Sequence, residues 1–159
     1  MPAALIVDPT TLDLSRVVMT KDQIHELLPH RDEMSFLDAV IHRDIAAGIL
    51  AAVMRVPQKA FWTSGHFPAN PILPGIVLIE AAAQTCLVFY KICVPEVRNK
   101  LVLFGGVDEV RFRGSVRPGD TVVLVTKLIT ATPRGGRNAT QAYLNGKLIF
   151  EAIIFAVAT

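Results

Sequence analysis

One helix-forming stretch constrains the fold of this 159-residue chain more than any other feature. From residue 75 to residue 92 nearly every side chain is apolar, so a helix here shows hydrocarbon on almost all of its faces. Such a helix belongs inside a core, and its interrupting polar residues make it a poor membrane span. We therefore predict a buried helix that the rest of the chain surrounds. Its only polar side chains are those of Glu80, Gln84, Thr85, Tyr90 and Lys91.

Glu80 and Gln84 are the feature of this helix that needs an explanation. They lie one turn apart, on the same helix face, where only hydrocarbon is expected. A carboxylate in that place is either structural, paired with an arginine in the core, or part of a reactive site. The helix pattern alone leaves both interpretations open.

The loop that precedes the helix is stiffened by proline. Prolines at 68, 71 and 74 fix their own φ angles and bias each preceding residue away from helix. The backbone around His66 should therefore be rigid and extended. A rigid backbone can aim an imidazole, so His66 is a candidate functional residue, although a lone loop histidine is usually structural.

Strand patterns fill most of the remaining chain. A short helix starts at a capping box formed by Thr20 and Gln23 and stops at Pro29. One long helix among strands predicts an α+β domain, with a curved antiparallel sheet wrapped around the helix. The strands are expected at 36–41, 48–56, 101–112, 121–130, 139–144 and 148–156, with an Asn145-Gly146 hairpin turn between the last two.

Length and composition bound the organisation of the protein. We expect one domain over 21–159, preceded by an N-terminal extension over 1–20 that is either an ordered cover or a loose arm. The apolar fraction of 52% is high for a monomer and favours a partner-covered surface, whereas a net charge of +2 argues against nucleic-acid binding. Nothing suggests export, so a cytoplasmic protein is expected. Cys86 and Cys93 are predicted to be small core residues, and no metal site is expected.

Several motifs resemble those of one enzyme family. GHFP at 65–68, P-x-x-PG at 71–75 and IEAAAQ at 79–84 are similar to the signature of the (3R)-hydroxyacyl-acyl-carrier-protein dehydratases, the FabA and FabZ family. The stretch LLPHR at 27–31 and the segment 107–120 extend the resemblance over about 21–157. The resemblance implies the hot-dog fold, in which a curved sheet wraps a central helix. It departs at Asp32 and Glu33, where FabZ-like proteins usually carry an aromatic residue and a proline.

The resemblance also implies a catalytic pair. The family histidine and acid correspond to His66 and Glu80, contributed by different subunits, and a glutamate instead of an aspartate points to the FabZ branch. Histidine suits a base that takes the proton next to the thioester carbonyl. Glu80, buried among apolar residues, is expected to stay protonated and to act as the acid on the departing hydroxyl.

Further residues complete the expected site. Backbone N–H groups at Gly75, where the helix begins, form an oxyanion site for the thioester oxygen. Gln84 is expected to orient the loop or Glu80. Phe67, Leu73, Val77 and Phe104 are candidates for an acyl tunnel, although each is as well explained as ordinary core.

The expected partners follow from the resemblance. Arg111, Arg113 and Arg117 either form a solvated edge or bind the acidic acyl carrier protein. The chain is expected to form a homodimer, or a trimer of dimers, and to need no cofactor beyond the pantetheine arm of the carrier. Two other functions stay open: a hot-dog acyl thioesterase, and a non-catalytic acyl-carrier-binding homologue.

Overall fold

A computed structural model describes residues 3–159, and in it a single sheet of seven antiparallel strands curves around one long helix. The helices are α1 (Lys21–Leu27) and α2 (Gly75–Cys93). The strands are β1 (Met19–Thr20), β2 (Ala39–Asp44), β3 (Ile49–Arg55), β4 (Val102–Phe112), β5 (Thr121–Thr132), β6 (Gly135–Leu144) and β7 (Lys147–Ala158), in the spatial order β1-β2-β3-β5-β6-β7-β4. The predicted α+β hot-dog architecture is confirmed.

Helix α2 lies in the core as predicted. Its length and apolar composition alone would allow it to cross a membrane, but most of it is buried against the sheet. Val88, Phe89 and Tyr90 are fully enclosed near its C-terminal end. Burial of side chains of this size contributes about 1.5–3 kcal/mol each, which is why the helix organises the domain.

The short helix α1 begins at the predicted capping box. The Gln23 amide donates to the Thr20 hydroxyl at 3.3 Å, and the Thr20 amide donates to the Gln23 side-chain oxygen at 2.8 Å. Both bonds satisfy helix-end donors that have no partner inside the helix. The helix ends at Leu27, and Leu28 and Pro29 begin the loop that carries His30.

The strand predictions hold with three main differences. Strand β6 begins at Gly135, four residues earlier than expected. Strand β2 begins at Ala39, three residues later than expected, because the Phe36 amide donates to the Gln84 side chain instead of to a neighbouring strand. Strand β1 is only two residues long, and no sequence pattern indicated it. The hairpin turn is where it was predicted, with Asn145 at φ 50° and Gly146 at φ 76°, as a type I′ turn requires.

The described part of the N-terminal segment is ordered on the outer face of the sheet. Ile6, Val7 and Leu12 pack against a small apolar cluster that includes Tyr143. Gln141 fixes the segment by accepting from the Ile6 amide and donating to the Ala4 carbonyl, each at 2.8 Å. The segment is therefore a cover and not a loose arm, while the division of the chain at residue 20 stays a prediction.

Strand β4 forms one open edge of the sheet. It pairs with β7 on one side only, and the large apolar side chains of Leu103, Phe104 and Phe112 along it are about half exposed. An exposed edge of this length and composition is a template for pairing with another strand. The opposite edge, β1, is too short to offer the same surface.

Candidate functional site

His66 is held in one orientation by its own loop. Its Nδ1 lies 2.7 Å from the Ile72 carbonyl oxygen, which accepts only if that nitrogen carries the proton. The loop is closed by two backbone bonds, from His66 to the Trp62 carbonyl and from Ile72 to the His66 carbonyl. In the neutral imidazole, Nε2 therefore has a free lone pair that can accept a proton.

A cavity of about 270 Å³ adjoins His66 and the start of α2. Gly75 and Phe112 line it together with His66. The Phe112 ring covers Gly75 so closely that a Cβ at position 75 would lie 2.8 Å from the ring. Glycine is therefore the residue that lets this wall of the cavity close.

The N-terminus of α2 carries free donors, and Gly75, its first residue, lines this cavity. The Pro74 carbonyl accepts from the amides of Val77 and Leu78, at 2.9 and 3.2 Å. The Gly75 and Ile76 amides make no backbone or side-chain hydrogen bond within residues 3–159, as the first N–H groups of a helix usually do not. Two unpaired amides with the helix dipole behind them suit a developing oxyanion.

Glu80 is about three-quarters buried, and two side chains contact the same oxygen of its carboxyl group. His30 Nε2 lies 3.2 Å and Gln84 Nε2 lies 3.1 Å from Glu80 Oε1. Burial raises the pKa of Glu80, but the hydrogen bonds from His30 and Gln84 and the His30 charge together hold the pKa below its usual value. The expectation that burial alone keeps Glu80 protonated is therefore wrong for this chain, because two N–H donors favour the carboxylate.

Gln84 joins α2 to the loop before β2. Its Nε2 donates to the Met34 carbonyl at 2.7 Å as well as to Glu80, and its Oε1 accepts from the Phe36 amide at 3.3 Å. Gln84 was expected to orient either the loop or Glu80, and its buried amide contacts both.

His30 is the residue that sequence reasoning missed. No role was predicted for it from the sequence, yet its side chain lies against Glu80, and its Nδ1 is buried without a partner among residues 3–159. The sequence left open an arginine in the core as the partner of Glu80, but the structure shows that the partner is His30. The LLPHR motif at 27–31 was the available signal, because it already belonged to the resemblance.

His66 and Glu80 line different cavities of the same chain. The Glu80 cavity, about 250 Å³, includes His30 and Phe104 and is separate from the His66 cavity. Within the described residues the two predicted catalytic side chains are therefore not brought into one pocket, which agrees with a site shared between subunits.

The four candidate tunnel residues do not line one channel. Phe104 lines the Glu80 cavity, and Leu73 lines the His66 cavity. Phe67 stacks on the His66 ring, with centroids 4.0 Å apart, and Val77 is buried in the core. A shared tunnel made by these four residues stays a prediction.

The three candidate arginines differ in their surroundings. Arg113 donates to Glu151 at 2.9 Å, and Arg117 donates to Asn70 at 2.6 Å. Arg111 is exposed and makes no side-chain hydrogen bond or ion pair within the part of the chain that the structure describes. Arg111 is thus the member whose charge is most available to a partner.

The cysteines are placed as predicted. Cys86 is buried, and burial raises the pKa of its thiol to about 12, so the thiol is unreactive. Cys93 is partly buried, and burial raises the pKa of its thiol as well. Across residues 3–159, no group of three His, Cys, Asp or Glu side chains is placed to hold a metal ion.

An antiparallel sheet wrapped around one helix, with a loop histidine and a helix carboxylate, defines a hot-dog-fold domain of the dehydratase type. Residues 28–153 match the model of the FabA-like domain. The chain is similar to the 3-hydroxyacyl-acyl-carrier-protein dehydratase FabZ of Enterococcus faecalis, with 36% identity over 84% of this chain and 94% of that protein. It is likewise similar to FabZ of Moorella thermoacetica, with 37% identity over 87% of this chain and 96% of that protein. The chain belongs to the FabA-like family and is a FabZ-like dehydratase.

A solved structure shows the same fold. The dehydratase heterocomplex ApeI:P from Xenorhabdus doucetiae superimposes with a TM-score of 0.71, covering 86% of this chain and 90% of that chain. At 18% sequence identity, this likeness concerns the arrangement of the sheet and helix alone.

Proposed function

We propose that this protein removes water from (3R)-3-hydroxyacyl groups carried on acyl carrier protein, giving the trans-2-enoyl product in fatty acid or related acyl-chain synthesis. The observation that carries the proposal is the bond from His66 Nδ1 to the Ile72 carbonyl at 2.7 Å, which leaves Nε2 free as a base. The FabZ relatives have this activity in their names and share more than a third of their aligned residues with this chain.

The reaction begins at the carbon next to the thioester carbonyl. His66 Nε2 takes a proton from that carbon, and negative charge develops on the thioester oxygen. The free amides of Gly75 and Ile76 donate to that oxygen, in a cavity that the Phe112 ring partly closes. Removing one such donor from an oxyanion site generally costs about 10² to 10³ in rate.

Glu80 acts at the 3-hydroxyl group of the substrate, which leaves when its C3–O bond breaks. Its Oε1 is occupied by His30 and Gln84, so Oε2 is the oxygen that meets the 3-hydroxyl group. A carboxyl group at this place fixes the hydroxyl on the side of the substrate away from the oxyanion donors.

The complete site requires a second copy of the chain. Antiparallel pairing of β4 with the β4 of another subunit sets the Phe104 end of one strand beside the Phe112 end of the other. Phe104 lines the Glu80 cavity and Phe112 lines the His66 cavity, so each site takes Glu80 from one subunit and His66 from the other. The half-exposed apolar side chains of β4 are buried by the same pairing.

The acyl carrier protein supplies the substrate on its phosphopantetheine arm. Arg111 lies at the C-terminal part of β4, one residue before Phe112, where its exposed charge can attract an acidic carrier toward the His66 cavity. A carrier-bound substrate fits a cytoplasmic enzyme.

The proposal is tested with 3-hydroxybutyryl carrier protein as substrate. The expected result is the enoyl thioester, detected by its absorbance and mass, with the carrier thiol still acylated. Release of free thiol without enoyl product would identify a thioesterase instead. Binding of the acyl carrier without either product would identify a non-catalytic homologue.

A further inference from the structure

His30 occupies a place in the site that neither the activity nor the family motif pair requires. Its imidazole and the Glu80 carboxyl are each about three-quarters buried, with side-chain exposures of 24% and 27%, and they meet at 3.2 Å. The two residues come from different elements, the loop after α1 and the middle of α2. A contact of this kind is built by the tertiary fold and does not follow from sequence neighbourhood.

The proton between the two residues can be located from their other contacts. His30 Nδ1 is buried without a partner within residues 3–159, and a buried N–H without an acceptor loses its hydrogen bonds to water with no replacement. The lower-energy tautomer therefore carries its proton on Nε2 and donates it to Glu80 Oε1. Gln84 Nε2 donates to the same oxygen at 3.1 Å, so Oε1 receives two N–H bonds.

The second carboxylate oxygen is left for the substrate. Glu80 Oε2 has no hydrogen-bond partner among residues 3–159, and Glu80 lines the cavity whose other walls are largely apolar. Gln84 is itself fixed by the Met34 carbonyl and the Phe36 amide, so the clamp on Oε1 is rigid. A carboxylate held by one oxygen presents the other in a defined direction.

We propose that His30 is a positioning residue of the dehydratase, which with Gln84 clamps Oε1 of Glu80 so that Oε2 accepts the hydrogen bond of the substrate 3-hydroxyl. This inference rests on the proposed function and deepens it. Glu80 is then an acceptor and not the proton donor, and the proton that leaves with the hydroxyl comes from His66.

The elimination balances with one proton carrier. His66 Nε2 takes the proton from C2, and the electron pair of that bond forms the C2–C3 double bond. The C3–O bond breaks with its electron pair on oxygen, and His66 Nε2 returns the proton to that oxygen, which leaves as water. Glu80 and His30 end the cycle as they began it, so no co-reactant is needed.

Other charged groups near Glu80 are few. Cys86 lines the same cavity with an unreactive thiol, and the lining residues from β4 and β7 are apolar. Arg31 follows His30, but its guanidinium donates to the carbonyls of His25, Leu28 and His30 and is turned away from Glu80. In the dimer, His66 of the second copy is the one further titratable group expected to face Glu80.

The experiment compares His30→Leu with His30→Gln, which keeps an amide donor. His30→Leu should lower kcat about 10²-fold and change KM less than about threefold, because the acceptor is misplaced while the acyl chain still binds. His30→Gln should recover about tenfold or more of that loss. A double variant with Glu80→Gln should be no slower than Glu80→Gln alone, since the histidine acts only through the carboxylate. Losses that multiply in the double variant would overturn the proposal.

A titration tests the same contact without the reaction. The Glu80 carboxyl carbon is followed by NMR in glutamate-labelled dimer, with Glu80→Gln for assignment. The carboxyl group should titrate below the usual range in the native protein and at a higher pH in His30→Leu, where burial acts with one donor fewer. An unchanged midpoint would overturn the role of His30. Absence of enoyl product from the native enzyme would instead defeat the proposed function, whatever the titration shows.

Discussion

His66 Nδ1 donates to the carbonyl oxygen of Ile72, six residues further along the same loop, at 2.7 Å. This bond fixes both the direction of the ring and the tautomer, because the acceptor is a backbone carbonyl that has no proton to give. The loop that makes it is closed by the Ile72 amide, which donates back to the His66 carbonyl at 2.8 Å. The structure thus orients the His66 ring without any bound substrate.

Replacing this histidine should remove the reaction and leave the fold. His66→Ala is expected to lower kcat by at least about 10³-fold with the midpoint of thermal unfolding little changed, since the half-exposed loop side chain contributes little packing. Enoyl formation and thermal unfolding are measured side by side. His42→Ala, on β2 and outside the described cavities, is the matched control and should stay active. Native turnover in His66→Ala would rule out His66 as the base.

Glu80→Gln tests the carboxyl group with its shape retained. The amide keeps an oxygen that can accept from His30 and Gln84, so unfolding free energy should change by no more than about 1 kcal/mol. The dehydration rate should fall about 10²-fold or more, because a neutral amide is a weaker hydrogen-bond acceptor than a carboxylate. Steady-state kinetics and urea unfolding give the two numbers. Full activity would make Glu80 a structural residue.

Mixing two inactive variants tests the shared site. His66→Ala and Glu80→Ala chains, after verified subunit exchange, should form heterodimers in which one site has both intact residues and the other has neither. Activity per heterodimer should approach half the native value. Mass spectrometry of tagged chains establishes the exchange. Verified heterodimers without activity would place both residues of a site in one chain, against the β4 pairing.

Gly75→Ala tests the close approach of the Phe112 ring. A Cβ at position 75 meets the ring at 2.8 Å, so the ring must move into the His66 cavity or away from it. We expect kcat/KM to fall about tenfold or more, while helix stability is unchanged or slightly better because alanine favours helix. The double variant with Phe112→Leu makes room for the methyl group and should regain activity. No loss in Gly75→Ala would show that the oxyanion amides tolerate a displaced ring.

Arg111→Glu tests the binding of the acyl carrier protein. It should reduce kcat/KM for carrier-bound substrate more than for a short pantetheine thioester, because only the first brings an acidic protein surface. Arg113→Glu is a poorer probe than the sequence suggested, since it breaks the bond to Glu151 and brings two carboxylates together. The effect of Arg111→Glu should shrink as salt is raised. Equal losses with both substrates would indicate a solvated edge.

The sequence by itself determined most of the secondary-structure elements, and it indicated the principal candidate residues of the site. The continuous apolar stretch of α2, the capping box at Thr20 and the hairpin at Asn145-Gly146 are local signals, and each element formed where its signal lay. The proline-rich loop around His66 was expected to be rigid and extended, but it folds into turns over 61–69, closed by bonds such as that from the His66 amide to the Trp62 carbonyl. Proline restricts its own φ angle, but it does not specify which backbone contacts close the loop. The motifs GHFP at 65–68 and IEAAAQ at 79–84 indicated the family before any contact was known.

Only the tertiary structure decided how Glu80 is held and in which direction its pKa is shifted. Burial was visible in the helix pattern, and burial alone predicts a protonated carboxyl. The donors that reverse this prediction come from two places, one turn along α2 and 50 residues away in the loop that carries His30, and no local pattern reports a contact across that separation. A pKa depends on the sum of all groups around a charge, so it belongs to the fold and not to the segment.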